Sequence, residues 1–155
     1  VVYEQDLAFV LEDKLGICGY VLGAKDTKLF FKAMTEKWLP KYQKRFPMPK
    51  GDPKNWNLDQ KIIALIHNPK VSIPDSLNNF PAHLHIDLLP RARKKGNGRR
   101  MIETLHKKLE ILGIKGVFLD VGINNLNAQS FYEKIGYKKL EVTPSQDGLF
   151  MIHQL

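Results

Sequence analysis

The sequence predicts an α/β domain built on a mixed central sheet. Three observations lead there. Residues 7–22 form two apolar runs around a short charged turn, as an antiparallel hairpin does. Residues 82–121 read strand, glycine-rich basic loop, helix, strand, and a helical crossover makes two such strands parallel. Residues 124–155 read as a short helix ended by a glycine, then a closing hairpin.

In order, LAFVL at 7–11 is the first expected strand and Glu12, Asp13 and Lys14 its turn. LGICGYVL at 15–22 is the second strand, where Gly19 and Gly23 suggest a bulge or a close neighbour. Asp26 or Thr27 is the expected N-cap of a helix over 28–39. Phe30, Phe31, Met34 and Trp38 fall at helical spacing and are expected to face inward. Pro40 is expected to interrupt or kink this helix. FPMPKGDPKNWN at 46–57 is a loop, with three prolines and a glycine. Asn57 with Gln60 has the form of a capping box. It opens a short helix through Ile62, Ile63, Leu65 and Ile66 that stops before Pro69, and residues 71–81 are irregular.

AHLHIDLL at 82–89 is the central strand. Alternation sets His83, His85 and Asp87 on one face and Leu84, Ile86 and Leu88 on the other. The next helix starts near Gly98, runs through Met101, Ile102, Leu105, Leu109 and Leu112, and is closed by Gly113. GVFLDV at 116–121 is the next strand. A short helix follows, with Asn127 at or near its start, Phe131 buried against the sheet and Gly136 ending it in left-handed geometry. Residues 138–142 and 149–155 make the closing hairpin around 144–148.

A chain of 155 residues is one domain by length and can bury a core. Its 43% hydrophobic and 26% charged content is that of a globular protein. No apolar run reaches the ~18 residues of a membrane span, so no membrane partner is expected. The one cysteine, Cys18, allows no internal disulfide and fits a reducing cytoplasm, the expected location. Cys18 itself reads as a small buried hydrophobe. Lys and Arg outnumber Asp and Glu by 24 to 16, for a net charge of +8, which favours a polyanionic ligand. Residues 91–100 hold six basic side chains and no acidic one. Such a compact cluster beside two glycines suits a diphosphate better than a long duplex. It also lacks the interleaved aromatics of a single-strand nucleic-acid groove, so nucleic acid is not the expected partner.

The organising stretch is LLPRARKKGNGRRMIET at 88–104. A strand, a glycine-rich turn and a helix together present unpaired N–H groups and the positive end of a helix dipole to an anion. Gly96 and Gly98 are expected to supply positive φ and to let a ligand approach the backbone. Pro90, Arg93, Gly96 and Gly98 spell P-x-x-R-x-x-G-x-G, which is neither a P-loop nor the dinucleotide fingerprint.

This loop resembles the acyl-CoA diphosphate loop of the GCN5-related N-acetyltransferase (GNAT) superfamily. NNLNAQSFYEKIGY at 124–137 has the form N-x-x-x-F-Y-x-K-x-G-Y/F and resembles that superfamily's last motif. A third stretch has G-Y-x-L-G-A-x-D-x-K-x-F-x-K at 19–32, Trp38-x-Pro40, and PKGD at 49–52. It is similar to the acetyltransferase-like domain of the O-GlcNAcase group. The resemblance covers residues 7–155. It implies a GNAT fold: a mixed sheet with splayed parallel middle strands, flanked by helices. The chain then reads as a single acetyltransferase domain over 1–155, with a helical insertion at about 25–81. GNAT domains normally begin with a strand and one or two helices that shape the acceptor pocket. This chain starts almost at the hairpin, so those elements are expected to lie outside the sequence or to come from another segment or subunit.

The activity implied is acetyl transfer from acetyl-CoA to a primary amine, on a small molecule or peptide, by direct transfer in a ternary complex, with no metal. The alternative is a CoA-binding pseudoenzyme or regulatory module without turnover. A homodimer is left open. Backbone N–H groups over 94–99 (Lys94, Lys95, Gly96, Asn97, Gly98 and Arg99) are expected to hold the diphosphate, with the Arg93 and Arg99 side chains in support. The resemblance places the pantetheine arm between strands 82–89 and 116–121. Backbone around Ile86 to Leu88 would pair with its amides, an N–H there would polarise the thioester carbonyl, and Asn127 would touch the arm from the far side. Tyr132 is the candidate acid for the leaving sulfur, since a phenol of pKa ~10 stays protonated at neutral pH. His85 is the candidate base. Asp87 could act as base, orient His85, or bind the acceptor amine, and Asp120 is a weaker candidate. AHLH also occurs in arylalkylamine acetyltransferases, but here it lies one residue closer to the glycine loop.

Overall fold

The computed structural model describes residues 3–69, 73–140 and 148–155. The described residues fall into two compact units, one drawn from 1–27 and 74–155, the other from 28–73.

The N-terminal hairpin forms where the alternation places it. Strand β1 is Ala8–Asp13 and β2 is Gly16–Ala24, antiparallel. The register runs Leu11 to Gly19, then Glu12 to Ile17, so Cys18 is the extra residue of a bulge. Both expectations for Gly19 are met. It lies at the bulge, and a Cβ there would sit 2.3 Å from Leu88 Cδ2 and 3.0 Å from the Asp87 carbonyl oxygen.

The 28–73 unit departs most from expectation. Helix α1, Thr27–Ala33, passes into a π-helical turn at Met34–Trp38 and then into α2, Leu39–Arg45. Pro40 therefore does not end the helix. It sits in the first turn of α2, where a residue without an N–H costs little, and the wide turn before it absorbs the missing bond. One extra residue in a turn rotates all that follows by about 100°. That rotation corrects the expected inner face: Leu39 is buried, whereas Trp38 is 39% exposed. Trp38 packs on Tyr42 one turn later, with ring centroids 4.4 Å apart. The loop over 46–57 contains one 3-10 turn, Pro53–Asn55, capped by Asp52. Helix α3, Leu58–His67, carries the full capping box. The Asn57 Oδ1 accepts from the Gln60 N–H, and the Gln60 Oε1 accepts from the Asn57 N–H, both at 2.9 Å. Gln43 donates to the Ile66 carbonyl, tying α2 to α3.

Strand β3 is Ala82–Leu88, α4 is Asn97–Ile111 and β4 is Gly116–Gly122. Helix α5 is Leu126–Lys134, and the last strands are β5, Lys138–Lys139, and β6, Gly148–Gln154. The sheet order is β1-β2-β3-β4-β6-β5. Among the described residues only β3 and β4 pair in parallel, and only at Ala82–Val117 and His83–Phe118. Beyond His83 the two strands part, leaving the rest of β3 unpaired on that side. In the closing hairpin β6 pairs with both β4 and β5. The expected strand end at 141–142, the turn up to residue 147 and residues 71–72 lie outside the described residues.

One face of the sheet carries the core. Val21, Leu84, Val117, Leu119, Val121 and Met151 meet Met101, Ile102, Leu105 and Leu109 of α4, with Tyr132 and Tyr137. These α4 positions repeat at helical spacing because that is the face turned to the sheet. Each fully buried leucine there contributes about 2 kcal/mol. Gly113, at φ +75°, closes α4 as expected, with the Ile114 N–H donating to the Leu109 carbonyl at 3.0 Å.

Candidate active site

The site is built around the end of β3. The Leu89 N–H donates to the Cys18 carbonyl on β2. Backbone groups alternate sides along a strand, so those of Leu84, Ile86 and Leu88 face β4. Past His83 that edge has no strand partner among the described residues.

Leu88 is wedged. Its side chain meets Gly19 on one side, and a Cβ on Gly98 would lie 3.6 Å from its Cδ1 and 3.1 Å from Phe131 Cζ. Gly98 therefore lacks a side chain because β3, α4 and α5 converge on it. The expected positive φ is found at Gly96 (φ +74°) but not at Gly98, and Lys94 (φ +58°) adopts it without a sequence signal. Left-handed residues at 94 and 96 turn the chain into the start of α4.

Gly96 is the N-cap of α4 and offers no side chain to the first turn. The Arg100 N–H is the first to find an acceptor, the Gly96 carbonyl at 3.1 Å. The N–H groups of Gly96, Asn97, Gly98 and Arg99 have no acceptor among the described residues. Asn97 braces the turn, donating to the Ala92 carbonyl at 2.8 Å and accepting from Arg100. Four unpaired N–H groups at the positive end of a 15-residue helix are suited to an anion.

The basic cluster divides by role. Arg91 is structural: its Nε donates to Asp13 Oδ2 at 3.0 Å, and Nη2 donates to the Ile17 carbonyl at 3.1 Å. It pins the loop to the first hairpin, and its hydrogen bond lowers the Asp13 pKa. The Arg93 Nε donates to the Leu88 carbonyl at 2.7 Å, and Nη2 lies 3.6 Å from Asp87. Arg99 pairs with Glu103 one turn on. Lys94 and Lys95 are exposed and have no ion-pair partner among the described residues.

His85 and Asp87 lie on the face of β3 opposite the core. His85 is exposed, with Tyr20 of β2 stacked on it at 5.7 Å. Tyr20 is opposite Asp87 in register, a neighbour that only strand pairing could disclose. The Asp87 Oδ1 accepts from the Leu88 N–H at 2.8 Å. His83 is a satisfied structural histidine. The single Thr27 hydroxyl proton goes to the Pro81 carbonyl at 2.7 Å, so the His83 Nδ1 donates to Thr27 at 2.9 Å. Burial pulls the His83 pKa down to about 4, with the nearby His85 adding to the effect.

Tyr132 sits on the other face, in the core, 9% exposed. Burial pushes its phenol up to about 12, so it holds its proton through the neutral range. Asn127 is exposed and does not cap α5. Asn125 does, accepting from the Ala128 N–H, and Asn127 is the second residue of α5, near its start as expected. A cap side chain must precede the helix it caps, so the Asn127 side chain is left for other contacts. Buried Gln129, not anticipated, ties α5 to the end of β4 by donating to the Gly122 and Ile123 carbonyls at 3.1 and 2.8 Å. Desolvation raises the pKa of the buried Cys18 thiol, which suits a packing residue. Among the described residues no group of three His, Cys, Asp or Glu side chains could hold a metal, and no helix is long and apolar enough to cross a membrane.

Comparison with known proteins agrees with this geometry. The acetyltransferase (GNAT) family model matches residues 10–137. Protein O-GlcNAcase of Rattus norvegicus is 33% identical over 132 residues, which are 84% of this chain and 14% of that protein. The chain thus spans about one seventh of the curated relatives it matches. The crystal structure of SsHAT superposes with a TM-score of 0.87 at 36% identity, covering 99% of this chain and 75% of that one. The structure of yncA from Salmonella typhimurium, solved with its cofactor acetyl-CoA, has a TM-score of 0.57 at 13% identity and covers 99% and 68%. That last likeness shows the fold alone. With the family model spanning both the glycine loop and the α5 motif, this chain belongs to the acetyltransferase (GNAT) family.

Proposed function

We propose that this domain is an acetyl-CoA-dependent N-acetyltransferase that moves an acetyl group to a primary amine, on a small molecule or a peptide, within a ternary complex. The helical stretch at about 25–81 is read as an insertion in a single acetyltransferase domain over 1–155. The observation that carries the reading is the run of unpaired N–H groups at the start of α4, beside the open edge of β3. That pairing suits a ligand with a diphosphate at one end and an amide-bearing arm at the other. The acetyl-CoA in yncA supports the same choice.

Acetyl-CoA supplies an acetyl thioester on a phosphorylated, amide-bearing arm. The backbone N–H groups of Lys94, Lys95, Gly96, Asn97, Gly98 and Arg99 bind the diphosphate, with Arg93 and Arg99 adding charge. Leu88 aims its N–H at the cleft, where it can polarise a carbonyl. Asn127 lines the arm from α5. Tyr132 keeps a proton on its phenol oxygen at neutral pH, available to a departing thiolate. His85 takes a proton from the acceptor ammonium, directly or through water, and Asp87 orients it or holds the amine. Tyr132 and His85 lie on opposite faces of the sheet, so both can serve one substrate only through the opening between β3 and β4.

The test is calorimetric titration of coenzyme A into the wild type and Gly98→Trp, with circular dichroism checking the fold. Wild-type binding weakened at least about tenfold in the variant is expected, because an indole there blocks backbone approach. Equal affinities would remove the loop from the site. Thiol release from acetyl-CoA is then followed across a panel of amines. Binding without release for any amine would overturn the transferase reading.

A further inference from the structure

We propose that the Asp87 carboxylate and the Arg93 guanidinium are stand-ins for the cofactor arm, holding the backbone of Leu88 until a ligand displaces them. The inference rests on the reading of the β3–β4 opening as a cofactor cleft. Leu88 is the last β3 residue whose N–H and C=O face that opening, and both are taken. The N–H goes to Asp87 Oδ1 at 2.8 Å and the C=O accepts from Arg93 Nε at 2.7 Å. The two caps also face each other, with Arg93 Nη2 3.6 Å from Asp87 Oδ1.

Both side chains are exposed, 61% for Asp87 and 58% for Arg93. Neither is held by burial, so what fixes them is the strand edge and each other. An exposed pair of this kind is weak and screened by solvent. It can satisfy an open edge yet yield to an arm that gains many contacts at once. A carbonyl on the arm would take the place of Asp87 Oδ1, and an amide N–H the place of Arg93 Nε, since these are the same hydrogen bonds with the partner exchanged. Arg93 would then leave Leu88 with its charge available to the diphosphate. The neighbouring wedge of Gly19, Gly98 and Phe131 keeps Leu88 itself still, so only the two caps need move.

Coenzyme A is titrated by calorimetry into the wild type, Asp87→Ala and Asp87→Asn, and the Leu88 amide is followed by NMR without coenzyme A. Asp87→Ala removes the competitor and should bind roughly fivefold tighter, the value of one solvent-exposed charge-assisted hydrogen bond. Asp87→Asn keeps an acceptor oxygen and should stay within about twofold of wild type. The Leu88 amide should move upfield and exchange faster in Asp87→Ala. Equal affinity in Asp87→Ala and wild type would overturn the stand-in role. So would Asp87→Asn matching the tighter Asp87→Ala, because charge repulsion alone would then explain the gain. A Leu88 amide identical in wild type and Asp87→Ala overturns it without reference to any ligand. If coenzyme A binds to none of the three proteins, the cofactor reading falls and takes this proposal with it.

Discussion

Tyr132 and His85 are both visible in the sequence as ionisable groups, but their environments are not. Tyr132 sits beside Phe131 in a string that reads equally as a packed helix face. Burial in the core decides its chemistry, raising the phenol to about 12. A phenol so placed stays protonated through the neutral range, which is what the proposed acid role requires. Tyr132 is also expected to touch the cofactor, so Tyr132→Phe should lower turnover about 100-fold, the smaller end of general-acid effects, and coenzyme A affinity far less. Steady-state kinetics beside calorimetry checks this, and wild-type turnover in the variant would remove the acid role. His83 and His85 are two residues apart in one alternating string and part company in the fold. His83 is held by Thr27, which is 56 positions away in sequence, whereas His85 faces solvent under Tyr20. No local pattern separates them, because the partner that settles each lies on another element.

At the scale of elements, the best-read feature is the start of α3. Asn57 and Gln60 are three residues apart and satisfy each other's backbone N–H groups, a bond pattern complete within four residues. Asn57→Ala should destabilise α3 by about 1 kcal/mol and speed amide exchange across Leu58–His67. Exchange rates identical to wild type would show that the cap contributes nothing. In the long helix before it, Pro40 interrupts the regular α-helical turns as expected, and the way it does so is also local in kind. A proline removes one hydrogen bond, and the chain can stop or widen a turn to absorb that loss. The second course preserves the packing of α2 on α3, and such packing lies beyond any local pattern. Gly98 is the converse case, a glycine correctly placed in the loop whose reason lies in Phe131, 33 positions on.

Over the whole molecule, two histidines link folding to acidity. Burial lowers His83 and His106 to about 4, and His106 is held against the Tyr137 hydroxyl at 2.7 Å. In the unfolded chain both titrate near 6.5. The unfolded state thus binds more protons between pH 6.5 and 4, so stability is full above that window and falls as pH drops through it. For His106, 9% exposed, the loss from pH 7 to pH 5 is roughly 2 kcal/mol. Urea midpoints at the two pH values should show it, and His106→Gln should flatten the dependence. A slope unchanged in that variant would assign the acid sensitivity elsewhere. The sequence alone determined the fold class, the order of its strands and helices, the glycine loop and the α5 motif. Each of these is written in residues near one another, as an alternation, a helical period, a cap or a fixed spacing. Only the tertiary structure decided where β3 and β4 part, which arginines are spent on the protein itself, and which face of the sheet each titratable side chain occupies. Those outcomes depend on register and packing between segments far apart in the chain, which no short string encodes.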